Sequence, residues 1–168
     1  FIADLRKANL VGANLRETNL NNADLRSSDL SRTNLKNANL SQAILHDSNL
    51  SGASLVGTNL ENADLRSSDL SYVKLEKAKL FNTNLSGSKL MGANLSKANL
   101  IGVNLQQTNL TNVKLEKINL SGANLENADL RNAFFRKVNL KNANLSNVNL
   151  NGAKLNRVNL NGANLKGA

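Results

Sequence analysis

The hydrophobic and polar positions of this chain repeat every five residues. From position 5 to position 165 every fifth residue is Leu except Phe135, so 32 of 33 such centres are Leu. The residue two before each centre is always small or β-branched: Ala, Val, Thr, Ser or Ile118. A helix repeats at about 3.6 residues and a strand at 2, and five fits neither. Within each repeat, the small residue and the centre alternate with an outward residue, as in a short strand. The next two residues are mostly polar and break the alternation. A break every five residues, always of the same kind, predicts a corner made of the centre, the two residues after it, and the next small residue.

The corner residues support this reading. All ten Gly lie two after a centre, and nine Asn share that slot. It is the third residue of the proposed corner, where a type II turn needs positive φ, which Gly and then Asn tolerate best. A chain turning repeatedly in one sense coils, and successive coils can pair strand to strand about 4.8 Å apart. The leucines then stack in one central column, each worth roughly 1.5–3 kcal/mol of burial.

The number of corners per coil follows from two internal matches. ADLRSSDLS occurs at 23–31 and 63–71, and VKLEK at 73–77 and 113–117. Both offsets are 40, a multiple of 20 and not of 15. NLENADLR, at 59–66 and 124–131, recurs at an offset of 65 and fits neither. Four corners are favoured, giving four walls centred on Leu5, Leu10, Leu15 and Leu20 and their successors twenty apart.

At this point repeats such as ADLRS, ANLSK, TNLEN and ANLKG matter as a set. They resemble the pentapeptide-repeat family, whose consensus is A(D/N)LXX, and the resemblance covers the whole chain. It implies an all-β, right-handed quadrilateral β-helix with four pentapeptides per coil, here about eight coils. The best understood members of that family protect DNA gyrase from quinolones or inhibit it; they resemble B-form DNA in size and negative charge, and usually dimerise through a C-terminal helix. Others are domains of larger proteins, especially in cyanobacteria, including kinases and membrane proteins. The resemblance carries no activity with it. The residue before each centre is Asn 19 times and Asp six times, which predicts structural ladders of side-chain amides between coils and bonds from these short polar side chains to nearby backbone.

Charge departs from the gyrase-binding pattern. The chain carries 21 Lys and Arg against 12 Asp and Glu, a formal net charge of +9. Sorted onto four walls, almost all of the excess falls on the third, which has eleven basic and three acidic residues. Sorting onto three walls blurs this separation. Lys77, Lys97, Lys117, Lys137 and Arg157 occupy one corner slot in five successive coils, Lys74, Lys114 and Lys154 the strand slot in alternate coils, and Arg136 joins them. Glu76 and Glu116 partly offset the group. The wall is a candidate docking face for an anionic partner: nucleic acid, an acidic protein or a lipid surface. The plain alternative is a solvated face that keeps the solenoid soluble. Interleaved aromatics for stacking bases are absent.

Few other features suggest chemistry. His46, the only histidine, sits beside Asp47, and no Cys exists to complete a metal site. Neither a cofactor, a small-molecule substrate nor an enzymatic activity is expected. Phe81 and Ile101 fall in equivalent slots of the fourth wall and form a candidate apolar patch for a partner. Met91, Tyr72, Val56 and Phe134 also point outward. No run of apolar residues is long enough to span a bilayer, and proline is absent, as expected where nearly every backbone N–H is used. The chain starts at Phe1 and both ends fall within the repeat. The expectation is one domain over residues 1–168, belonging to a longer protein, in the cytoplasm or as a soluble part of a membrane protein. Phe1 and Ile2 are candidates to cover the first coil, and nothing evident covers Leu165. Open ends predict end-to-end packing between copies, or a cap from elsewhere in the chain. The leading function is a scaffold or protein-interaction domain with an unidentified protein partner, followed by anionic docking and then by gyrase modulation.

Overall fold

The computed structural model describes residues 2–168. Every repeat turns a corner and every coil contains twenty residues. Parallel one-residue bridges run from Asp4↔Asp24 to Asn144↔Asn164, all at an offset of twenty. Three longer strands are present: β1 (Lys114–Glu116), β2 (Phe134–Asn139) and β3 (Lys154–Asn159). They pair in parallel in the order β1-β2-β3, again twenty residues out of step, Lys114 on Phe134 and Phe134 on Lys154. The result is a right-handed quadrilateral β-helix, with the four walls that the offsets of 40 favour and the form that the family resemblance implies.

The backbone N–H groups of one repeat show why the period is so strict. Leu5 N–H donates to the Asp24 carbonyl of the next coil at 2.8 Å, and Lys7 N–H to Arg26 at 2.9 Å. Asp24 N–H donates back to Ala3 at 2.9 Å. Ala8 N–H closes the corner on Leu5 at 3.1 Å. The fifth, Arg6 N–H, donates to the Asp4 side chain at 3.2 Å. All five donors are thus used, which is the condition for stable β structure and leaves proline no place. Each corner has positive φ at its third residue alone, as in a type II turn, whether that residue is Asn, Lys or Gly. At Gly92 a second constraint applies, since the Tyr72 ring lies over it and an added Cβ would sit 2.7 Å from that ring.

Leucines from Leu25 to Leu145, with Phe135, form a continuous column that water hardly reaches. The small residues fill between them, and those with hydroxyls are satisfied internally, as when Ser28 donates to the Leu25 carbonyl at 2.6 Å. The ends are open. Leu5, Leu10 and Leu15 are only partly covered, and Ile2 is 70% exposed, so the expected cover from Ile2 is not made. A lone side chain beside the first coil does not reach across a column that wide. Phe1 lies outside the described residues. At the other end Leu155 and Leu165 are exposed.

Candidate docking wall

The outward residues are held by the same corner chemistry. In the slot before the centre, all 25 Asn and Asp accept a hydrogen bond from the backbone N–H two residues later. Several also bond from coil to coil, including Asn34 to Asn14 and Asn144 to Asn124, each at 3.2 Å. The expected ladders are therefore present, with the local turn as their more regular part.

Where this slot holds Asp and the residue after the centre is Arg, the two side chains close on each other. Arg66 donates from Nε to Asp64 Oδ1 at 2.8 Å and from its terminal nitrogen to Oδ2 at 2.6 Å. Arg6–Asp4, Arg26–Asp24 and Arg131–Asp129 repeat this fork. Hydrogen bonding from the guanidinium pulls the carboxyls of Asp24, Asp64 and Asp129 below the usual range, and that of Asp4 to about 2. The arginines are raised in turn by their Asp partners. On the first wall, which carries three of these forks, the arginines are each neutralised within their own repeat.

The third wall is built differently. Lys74, Lys114 and Lys154 take the strand slot, where lysine offers no acceptor, and the N–H groups two residues on lose their side-chain partner. Lys79 and Lys89 give up the same bond on neighbouring walls. Lys77, Lys97, Lys117, Lys137 and Arg157 take the corner slot at positive φ, near +60° throughout. All of these third-wall cations, and Arg136, are exposed. Among the described residues only Arg136 of the nine has a carboxylate partner, Glu116 at 2.9 Å. Glu76 turns instead to Asn94, which donates to Oε1 at 2.7 Å, while Oε2 is buried without a partner. The two glutamates therefore leave eight cations unpaired. A hollow of about 340 Å³ lies among Arg136, Lys137, Asn156 and Arg157 at the C-terminal part of this wall. Asn156 was not singled out by its sequence slot, which on this wall varies among Arg16, Lys36, Val56, Glu76, Ser96, Glu116 and Arg136. Phe134, 37% exposed, stands in the ladder between Lys114 and Lys154.

The remaining candidates are separate from this wall. Phe81 and Ile101, 40% and 36% exposed, lie in equivalent slots one coil apart. His46 Nδ1 is 2.8 Å from Asp47 Oδ2 above a hollow of about 340 Å³ that runs down to Gln106 and Gln107. Arg66, on the same hollow, is held by Asp64. No group of three or more metal-ligating side chains occurs among the described residues, and no helix there is long and apolar enough to cross a membrane.

Comparison with known proteins agrees with this geometry. Residues 3–42 and 43–80 match the family described as pentapeptide repeats (8 copies), and residues 88–165 match the pentapeptide repeat region family. No curated protein matches the chain. Among solved structures, HetL, a pentapeptide repeat protein involved in heterocyst differentiation regulation in the cyanobacterium Nostoc sp. strain PCC 7120, is 31% identical. That match covers 96% of this chain and 86% of HetL, with a TM-score of 0.43. Rfr23 from the cyanobacterium Cyanothece 51142 is 42% identical over 53% of this chain and 57% of its own, with a TM-score of 0.41. A trypsin-treated variant of QnrB1, a plasmid-mediated fluoroquinolone resistance protein, shares the fold at 20% identity. It covers 95% of this chain and 89% of its own, with a TM-score of 0.59. With matched segments spanning nearly every coil, and the N–H pattern repeating in each, this chain belongs to the pentapeptide-repeat family.

Proposed function

We propose that this chain is a non-enzymatic scaffold that presents flat walls to a macromolecular partner. The carrying observation is the division of labour within each repeat. The centre and the small residue serve the column, the Asn or Asp serves the corner, and the remaining slots vary freely from wall to wall. A rigid frame with independently variable walls is suited to recognition of another surface. Pull-down with the intact chain and with Phe81→Ala and Ile101→Ala variants tests the apolar patch: unchanged partner recovery removes that patch from the reading.

A second reading, docking of an anionic partner through the third wall, has its own support. Eight unpaired cations are gathered on one wall, and three of them stand where Asn or Asp would have closed a corner hydrogen bond. Retention on heparin at physiological salt, falling steeply as salt rises, is the expected result, because bound cations displace counterions. Elution at or below physiological salt rejects it. Gyrase modulation has the family resemblance behind it and a wall of opposite sign against it; a supercoiling assay with added chain decides. The partly covered leucines of the first coil and the exposed Leu155 and Leu165 support packing between copies or cover by further chain, and light scattering at high concentration distinguishes these.

A further inference from the structure

We infer that the partner of the third wall is the surface of an anionic phospholipid bilayer. This rests on the anionic-docking reading above and goes beyond it in naming the partner. Three observations favour a bilayer over other polyanions.

The first is the shape of the charge. The corner column from Lys77 to Arg157 runs over five coils, about 19 Å at the strand spacing. The strand-slot column of Lys74, Lys114 and Lys154 runs beside it on the same wall. The cations thus form a two-row array rising from one sheet face, with uninterrupted register from Asn14 to Lys154. A planar array meets a planar surface with all of its members at once, whereas a nucleic acid duplex, being a cylinder, meets a flat wall along a line. Single-stranded nucleic acid binds through repeated aromatic platforms, and this wall has one outward aromatic.

The second observation is that one aromatic. Phe134 projects from the strand slot with Lys114 on one side and Lys154 on the other. An apolar tip set among lysines combines the two forces that hold proteins at a charged interface: attraction of basic residues to anionic headgroups, and burial of an apolar group at the headgroup boundary. On a soluble polyanion the ring has nothing to gain. The third is the hollow of about 340 Å³ among Arg136, Lys137, Asn156 and Arg157, two of whose lining residues, Arg136 and Lys137, stand on the same strand as Phe134. Its lining supplies guanidinium, ammonium and amide donors, the set that recognises a phosphate. At a bilayer surface this hollow seats a lipid headgroup phosphate.

The test uses substitutions that leave the corners intact. Lys117 and Lys137 occupy positive-φ slots that Asn fills elsewhere in this chain, so Lys117→Asn with Lys137→Asn removes two charges without straining the backbone. Lys7→Asn with Arg32→Asn removes two charges from the same slot on the first and second walls and serves as the control. Partitioning is measured by co-sedimentation with vesicles of phosphatidylcholine alone and of phosphatidylcholine with phosphatidylserine, with circular dichroism confirming that each variant is folded. The expected result is binding only to the anionic vesicles, weakened by salt. At about 1 kcal/mol per basic residue at such a surface, the wall pair should weaken it roughly thirtyfold and the control pair little. Phe134→Asn, at unchanged charge, should weaken it several-fold. No binding to anionic vesicles, or equal loss from wall and control pairs, overturns the inference. If the wall pair alone lowers retention on heparin or duplex DNA while vesicles do not bind, the bilayer is rejected and anionic docking stands. If neither heparin nor vesicles bind, both fall.

Discussion

The first and third walls are built on the same backbone and differ only in what stands on either side of the leucine. On the first, Asp before the centre and Arg after it close a two-bond fork within one repeat. On the third, Lys takes the place of Asp, and in Val73–Lys77 and Val113–Lys117 a Glu follows. Mere reversal of charge would make a mirror-image pair, yet neither Lys74–Glu76 nor Lys114–Glu116 forms one. The reason is that Asp does two things at once. Its Oδ1 accepts the backbone N–H two residues later, which holds the carboxylate where the guanidinium fork can meet it. Lysine cannot accept that bond and is not held, so Glu116 goes to Arg136 in the next coil and Glu76 to Asn94. An Asp–Arg repeat therefore closes its corner and neutralises its charge together, and a Lys repeat of the third wall leaves both open.

The largest expected effect tests whether the two walls share one core. Leu65→Ala beneath the first wall and Leu75→Ala beneath the third should each cost about 2–5 kcal/mol, read by denaturant unfolding, since both leucines are fully buried. A much smaller value at one would show that the column is not continuous. Next, Asp64→Lys should convert one repeat of the first wall into the third-wall kind. Loss of the corner bond and of the Arg66 fork should destabilise by about 1–2 kcal/mol. The converse change, Lys114→Asn, should supply an acceptor for the Glu116 N–H, stabilise by about 0.5–1 kcal/mol and slow hydrogen exchange at that amide. An unchanged exchange rate would break the link between open corner and lysine.

Acid should act on the forks. Asp24, Asp64 and Asp129 have carboxyls depressed in the folded chain by their arginines, and Asp4 falls to about 2. A depressed carboxyl contributes stability that is complete above its ordinary value of about 3.9 and is lost as pH falls through the lowered one. Melting temperature should therefore drop between about pH 4 and the lowered values, and Asp64→Asn with Asp129→Asn should flatten that drop while keeping the corner acceptors. The smallest effect is that of salt. Raising it should screen repulsion among the third-wall lysines and gain a few tenths of a kcal/mol at most, a gain reduced in Lys117→Asn with Lys137→Asn.

Much of this was legible in the chain before its structure. Identical spacing of Leu and small residues dictates the corners, since no other placement buries every centre, and the two offsets of 40 select four walls. Net charge could then be assigned to a wall by arithmetic, because residues twenty apart lie over one another. The fifth N–H was less legible: short polar side chains were expected to bond nearby backbone, but not which N–H each Asn and Asp takes, so the penalty of Lys74, Lys114 and Lys154 was hidden. Pairing was hidden too. Arg6, Arg26 and Arg66 look as basic as Lys77 or Lys97 until the forks are seen.

The sequence by itself determined the coil, its winding number, its column and the wall on which positive charge collects. These follow from a covalent period that repeats without interruption, and a period needs no side-chain detail to be read. Only the tertiary structure decided which charges are free and which are spent, that Asn156 joins Arg136, Lys137 and Arg157 around one hollow, and that Ile2 leaves the first coil open. Those outcomes depend on which atoms come within hydrogen-bonding reach between coils and across corners, and on how far one side chain extends over an edge, distances that spacing along the chain does not contain.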